Sequence, residues 1–558
     1  MAVTAHKTVA SLMQKTLNRQ AANARFKLKF SKGQIENILL NFARNSSSGP
    51  YNELVKVLKE YNLNDDNYRI VFDECWSCVV VLGRDFNQFV DAVCEIDWVG
   101  RDPELVDLYS RFVLSLVTAH SYHCPRVMTS LVKLLKADGE NWENSPSPDL
   151  INQWSNVHTI IAQIVAIIPM TSNLLMHIVI EQFPYYKAGC FANRAYIHNL
   201  IWMSKYIPCL KEQIMTAIIN RMIIMDVNIV ELDKNKPQND TFEMDTEERD
   251  EVSEALDYCM LEVLKWLEDE RDQVLAIFCN VFEKIILPTH GSRYVQFLLL
   301  YTISIKQQCA DRILSNLWII AAGLQGLGPG ALSTRRTAAS HLSGLLARCV
   351  RVPKSRLIHY LKTMADWCHS YVTATQESTT ATDNLKAHGA FHAICHALFY
   401  LVAFKNHHLF TSKDSVIFVE SLNLPRLVTC ALNPLRTCPP QVSRAFASVT
   451  RQHQVVYCQA IIERNSRHTL QTTEEQYDEW FPYDPYTLPV SGKIIWPLCI
   501  EYKDWSKVGE DETQYSGMKK KLEADDDDYL MGSPSQKRAS SLSNGVAAGF
   551  RTSENTMM

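Results

Sequence analysis

The chain holds no uncharged apolar segment of 18 residues, so no membrane-spanning helix is expected. Its opening residues, MAVTAHKTVASLMQK, have no long apolar run of the kind a secretory signal needs. The alternating apolar and polar text of β-strands is absent, which excludes a sheet architecture. No glycine-rich phosphate loop leads into Lys and Ser or Thr. The nearest candidate, GLQGLGPG at 323–330, reads as a loop between helices broken by Pro329 and Gly330. Neither a nucleophile elbow nor paired carboxylates appear, so nothing in the text argues for an enzyme. A net charge of -5 argues against a generic nucleic-acid binder.

Acidic residues are missing locally in two places. From Arg312 through Ala365 there is no Asp or Glu, while Arg312, Arg335, Arg336, Arg348, Arg351, Lys354, Arg356 and Lys362 accumulate. A solvated face normally mixes signs, so this segment suggests an anionic partner, with a plain surface bias as the alternative. The second place surrounds His388, His392 and His396, four residues apart in KAHGAFHAICHALFYLVAFKNHH. That spacing puts imidazoles on one helical face, as in zinc proteases, but such a site needs Glu after the first His and the chain has Gly389. No carboxylate between Asp383 and Asp414 is available to orient an imidazole. The expected reading is a packed, polar-edged helix, with no metal and no cofactor.

The 16 cysteines are scattered singly, mostly in apolar helical text such as that around Cys209, Cys279, Cys349 and Cys458. This usage fits a reduced cytosolic or nuclear protein in which Cys serves as a small core residue. The CWSC at 75–78 has redox or half-zinc spacing, but it sits in a buried-looking helix without a second such pair.

What the chain does contain is helical periodicity, almost unbroken. In PELVDLYSRFVLSLVTAH, Pro103 suits a first turn, Asp102 is placed to cap it, and Leu105, Leu108, Phe112 and Leu116 line one face. Comparable amphipathic units start near 51, 85, 149, 171, 191, 252 and 270, separated by short polar or proline-marked breaks. The expected fold is all-α, a HEAT-like helical-repeat superhelix over residues 31–505. A basic irregular segment, 1–30, precedes it, an acidic loop, 231–251, interrupts it, and a Ser-rich acidic tail, 506–558, reads as disordered. Near 481–497, FPYDPY is expected to be an extended, proline-stiffened strap on the last helices, with a plain linker as the alternative.

Several blocks go further than pattern: LPTHGSRYVQFLLLY at 287–301, LARCVRVP at 346–353, HGAFHAICHALFY at 388–400, LNPLRTCPPQV at 432–442, IIERNSR at 461–467 and FPYDPYTLPVSGKIIWP at 481–497. In content and order they resemble the RNA polymerase I-specific transcription initiation factor family, called TIF-IA in mammals, over roughly residues 30–530. The acidic-aromatic DDDDYL at 525–530 has its counterpart after the family's last block. In that pattern His392 and His396 fall where relatives carry non-ligand residues, which again favours packing over metal.

The resemblance implies a nuclear, nucleolar HEAT-repeat adaptor without catalysis. It would bridge the stalk region of RNA polymerase I to the promoter-bound selectivity factor, or core factor, on ribosomal DNA. Family members are phosphorylated, and some form homodimers when free. The competing readings are another solenoid adaptor, such as a nuclear transport receptor or phosphatase scaffold, and an enzyme built around the His cluster or CWSC. Candidate phosphorylation sites are Ser145 and Ser147 before prolines, Ser533 before Pro534, and Ser540 and Ser541 after Lys537 and Arg538. Ser110, Ser115, Ser121 and Thr171 are candidates for the polymerase-facing surface. Arg335, Arg336, Arg348 and Arg351 are candidates for the selectivity factor, with promoter DNA as a secondary target.

Overall fold

The amphipathic units fold as helices because each carries one apolar stripe that only a neighbouring helix can cover. In the computed structural model the described residues are 30–44, 48–136, 142, 145–229, 251–289, 291–324, 331–377, 387–467, 482–483 and 485–501. All of them belong to one unit, Met1–Lys503. The N-terminal segment before Phe30, the acidic loop before Glu251, Phe481 and the tail with Ser533, Ser540 and Ser541 lie outside the described residues.

The first helices are α1 (Gln34–Ala43), α2 (Gly49–Glu60), α3 (Asp65–Ser77), α4 (Asn87–Cys94), α5 (Pro103–Ala119), α6 (Cys124–Lys133), α7 (Pro148–Ile167) and α8 (Thr171–Glu181). They continue as α9 (Cys190–Tyr206), α10 (Lys211–Val227), α11 (Glu251–Asp269), α12 (Arg271–Val281), α13 (Phe297–Ile305), α14 (Gln307–Ala322) and α15 (Ala331–Arg348). Then come α16 (Lys354–Glu377), α17 (Gly389–Phe404), α18 (Asn406–Leu409), α19 (Lys413–Ser421), α20 (Leu424–Thr429), α21 (Pro440–Gln452), α22 (Gln459–Arg467) and α23 (Pro489–Ile495).

From α1 to α12, each helix packs on the one two places further along. Odd-numbered helices therefore form one layer and even-numbered helices the other, the arrangement of stacked helical hairpins. The pattern changes after α14, which packs on α15; α17 then packs against α15, α16 and α21. All-α, HEAT-like architecture is thus the observed fold. Among the described residues there is no β-strand, only a backbone bridge between Cys349 and Cys499.

Local details differ from the sequence expectation. Asp102 stands at the cap position of α5 but makes no cap hydrogen bond. Its carboxylate instead accepts from Arg69 Nη2 at 2.6 Å, a charge-assisted bond that outcompetes a neutral amide. The core stripe of α5 includes Leu105, Phe112 and Leu116 as expected, with Tyr109 and Val113, while Leu108 is only half-buried.

Buried carboxylates from distant helices cap several chain segments. Glu74 on α3 accepts from Ile35 N at 2.8 Å and Glu36 N at 3.1 Å, serving the start of α1, whose cap residue Gly33 has no side chain to offer. Asp226 on α10 accepts from Ser292 Oγ at 2.7 Å and from the amides of Arg293, Tyr294 and Val295 at 3.0, 2.9 and 2.9 Å, holding the turn into α13. Burial still pushes the Asp226 carboxyl above its usual value against these hydrogen bonds.

The strap departs from expectation in position, and the chain just after FPYDPY turns helical. Residues 489–495 are helical, and the strap lies on α11, α13 and α15 in the middle of the chain rather than on the last helices. Its anchor is Asp257 on α11, which accepts from Val490 N at 2.8 Å, Ser491 N at 2.7 Å and Ser491 Oγ, so that α23 is capped by a carboxylate 233 residues away. Tyr483 is buried, with φ 74, and its ring and the Pro482 carbonyl approach α15 where Gly344 has no Cβ. Phe297 of α13 meets the rings of Tyr483 and Tyr486 edge-on, at 5.3 and 4.7 Å.

Candidate interaction surfaces

The histidine helix α17 is buried nearly all round, and its imidazoles meet packing partners. His392 Nδ1 lies 2.5 Å from Thr437 Oγ1, His396 Nε2 lies 3.0 Å from the Pro434 carbonyl, and His388 Nδ1 lies 2.9 Å from the Tyr371 hydroxyl. Burial pushes His392 down to about 3 and His396 to about 4, so both are neutral at physiological pH. Among the described residues no group of three or more His, Cys, Asp or Glu is arranged to hold a metal. Cys75 and Cys78 are buried, and burial raises Cys78 to about 11.

The four N-terminal candidates divide. Ser110 and Ser115 are half-buried on α5; Ser110 Oγ donates to Gln163 Oε1 on α7 at 3.5 Å, and Ser115 Oγ accepts from Trp76 Nε1 on α3 at 3.2 Å. These contacts reach the two neighbours of α5 in its own layer, so both serines lie along the seams of the α3–α5–α7 layer. Ser121 is exposed at the start of a short 3-10 turn after α5. Thr171 is buried, and its hydroxyl donates to the Ile168 carbonyl at 2.7 Å, which makes it a structural group at the start of α8. Ser145 is exposed, and exposed Ser147 caps α7 by accepting from Leu150 N at 3.3 Å.

The acid-free segment divides as well. Arg348 is only 3% exposed, and Arg335 Nε donates to the Ala321 carbonyl at 3.0 Å, closing the C-terminal end of α14 beside Gly323. Arg356 pairs with Asp311. Arg312, Arg351, Lys354 and Lys362 are exposed and Arg336 is half-buried, so the outward basic rim is smaller than the sequence suggests. Of the four selected arginines, Arg348 is thus buried, Arg335 is tied to the end of α14, Arg336 is half-buried and Arg351 is exposed.

One surface escaped sequence reasoning. Met176, Ile180 and Phe183, at and just after α8, face Cys209, Ala217, Arg221 and Ile224, at and along α10, across a groove of about 600 Å³. Ile180 and Ile224 are exposed, and Arg221 stacks over the Phe183 ring at 4.7 Å. The signal was Ile180, an apolar residue off the core stripe of α8.

The described residues form a layered helical repeat with polar seams and a basic rim, the architecture of an all-α helical-repeat protein. The sequence matches the model of the family described as RNA polymerase I specific transcription initiation factor RRN3 over residues 24–262 and 231–509, and the chain belongs to that family. It is similar to the mouse RNA polymerase I-specific transcription initiation factor RRN3, 28% identical and covering 90% of this chain and 85% of the relative. The corresponding factor of Schizosaccharomyces pombe is 25% identical, covering 77% of this chain and 78% of its own. A crystal structure of RNA polymerase I transcription initiation factor Rrn3 superposes with a TM-score of 0.69 over 86% of this chain and 100% of that one, at 20% identity, a likeness of fold. The family works in RNA polymerase I transcription initiation and is not one of enzymes.

Proposed function

We propose that this chain is an initiation adaptor that binds RNA polymerase I, at its stalk region, and couples it to the promoter-bound selectivity factor at ribosomal DNA promoters in the nucleolus. The observation that carries the reading is the separation of two polar surfaces along one helical ladder. The serine-bearing seams of α3, α5 and α7 belong to the first helices, and the basic rim of Arg312, Arg336, Arg351, Lys354 and Lys362 spans α14 to α16. A bridging factor needs two such surfaces, because partners sharing one surface exclude each other.

Ser110 and Ser115 offer hydroxyls at the helix seams to the polymerase. A phosphate there adds about -1.5 to -2 charges and would break the Trp76 and Gln163 contacts. The basic rim attracts an acidic protein surface first and promoter DNA second, with an affinity that falls as salt rises. The test is co-precipitation with each partner. Arg336→Glu, Arg351→Glu and Lys362→Glu together, with Arg335 and Arg348 left intact, should lose the selectivity factor and keep the polymerase. Ser110→Glu with Ser115→Glu should do the reverse. Retention of both partners by both folded variants would overturn the assignment of surfaces.

A further inference from the structure

The backbone bridge between Cys349 and Cys499 joins the end of α15 to the last described residues of the strap. Its hydrogen bonds run from Val350 N to the Leu498 carbonyl at 3.0 Å and from Ile500 N to the Arg348 carbonyl at 2.7 Å. The flanking residues carry the bonds, so Cys349 and Cys499 face each other as the close, non-hydrogen-bonded pair of an antiparallel ladder. In such a pair the Cα atoms stand about 4.5 Å apart with both side chains on one face. That separation lies within the range of roughly 4.4–6.8 Å that a disulfide spans.

We propose that Cys349 and Cys499 form a reversible disulfide, a redox modification site that locks the strap to α15. The two cysteines are unbonded, and Cys349 Sγ is turned toward Ser304 Oγ at 3.4 Å, so bond formation needs the Cys349 side chain to rotate toward Cys499. Access differs between the partners: Cys349 is 1% exposed and Cys499 is half-buried, which makes Cys499 the sulfur an oxidant meets. A rival pair, Cys368 and Cys395, has its sulfurs 3.7 Å apart, but both residues are wholly buried.

With a peroxide as oxidant, the Cys499 thiolate attacks one oxygen, the O–O bond breaks, and water leaves after proton uptake. The resulting sulfenic acid is attacked by the Cys349 sulfur, the S–S bond forms, and a second water leaves. Two thiols thereby lose two electrons and one peroxide gains them, and a cellular dithiol reverses the step. Burial pushes the Cys499 thiol up to about 11 against the opposing pull of Arg348, so the thiolate is scarce at neutral pH and oxidation accelerates about tenfold per pH unit below that value. A slow, reversible bond of this kind fits a chain kept reduced in ordinary conditions.

The experiment uses the full chain under native conditions, treated with hydrogen peroxide at pH 8, alkylated and digested without reduction. A dithiothreitol-sensitive peptide pair joining Cys349 to Cys499 is expected as the main internal cross-link, absent from Cys349→Ser and from Cys499→Ser. Oxidation should also slow amide exchange at Val350 and Ile500 at least on the order of tenfold, since the strap end can no longer lift away. If Cys499 ends as sulfinic acid, or couples elsewhere, while those two amides stay protected, the proposal is overturned. Mapping of the unsubstituted chain decides this even where a serine variant fails to fold.

Discussion

Arg348 and Arg351 stand three positions apart, and the fold treats them oppositely: the first is buried at the end of α15 and the second is exposed in the turn that follows. A carboxylate buried at that position is stripped of water, so Arg348→Glu should cost about 3–5 kcal/mol in urea unfolding. Arg351→Glu should stay within about 0.5 kcal/mol. Equal losses in the two variants would refute the distinction. Buried imidazoles supply a pH dependence of the same local kind. Burial pushes His341, beneath the strap, down to about 3, whereas an unfolded histidine titrates near 6.5. Between those values the unfolded chain binds more protons than the folded one, so His341 contributes stability that is complete above about pH 6.5 and lost as pH falls toward 3. From pH 7 to pH 5 the chain should therefore lose about 2 kcal/mol more than His341→Gln does, read from urea midpoints at both values. Identical losses would mean that His341 is solvated or already charged.

At the scale of single elements, the capped strap helix can be tested directly. Asp257→Ala removes the acceptor for two amides and a hydroxyl of α23 and should destabilise the strap by about 2–3 kcal/mol. Gly344→Ala would bring a methyl to 2.8 Å from the Pro482 carbonyl and 2.7 Å from the Tyr483 ring, so the strap must shift. Faster cleavage by a protease within 482–501 is expected for both variants, and unchanged cleavage would show the strap to be held elsewhere. Helices such as α2, α5 and α11 were legible in the sequence because one apolar stripe at helical spacing suffices to specify each. The strap was legible only as a proline-stiffened aromatic segment. Its helical turn from Pro489 and its seat on α11, α13 and α15 depend on Asp257, Phe297 and Gly344, far earlier in the chain, and no local pattern encodes such pairings. The same limit applies to the basic segment. An acid-free run states charge, but whether an arginine points outward or closes a helix end, as Arg335 does at α14, is a matter of tertiary placement.

For the whole molecule, a helical ladder is built mainly from contacts between near neighbours in sequence, which lets repeats form in any order and fray from either end. The Asp257 cap changes that economy. It joins residue 257 to residues 490 and 491, so a long stretch of chain must already be placed before the contact closes. Closure of so long a loop carries a large entropic penalty and belongs late in folding, after α11 to α15 have stacked. Asp257 should accordingly have a φ-value near zero, with Asp257→Ala accelerating unfolding and leaving the folding rate unchanged. A slowed folding limb in that variant would place the strap inside the nucleus instead. Once closed, the contact turns an open-ended array into a ring of mutual dependence, in which the helices between α11 and α15 can come apart only if the C-terminal turn lets go first.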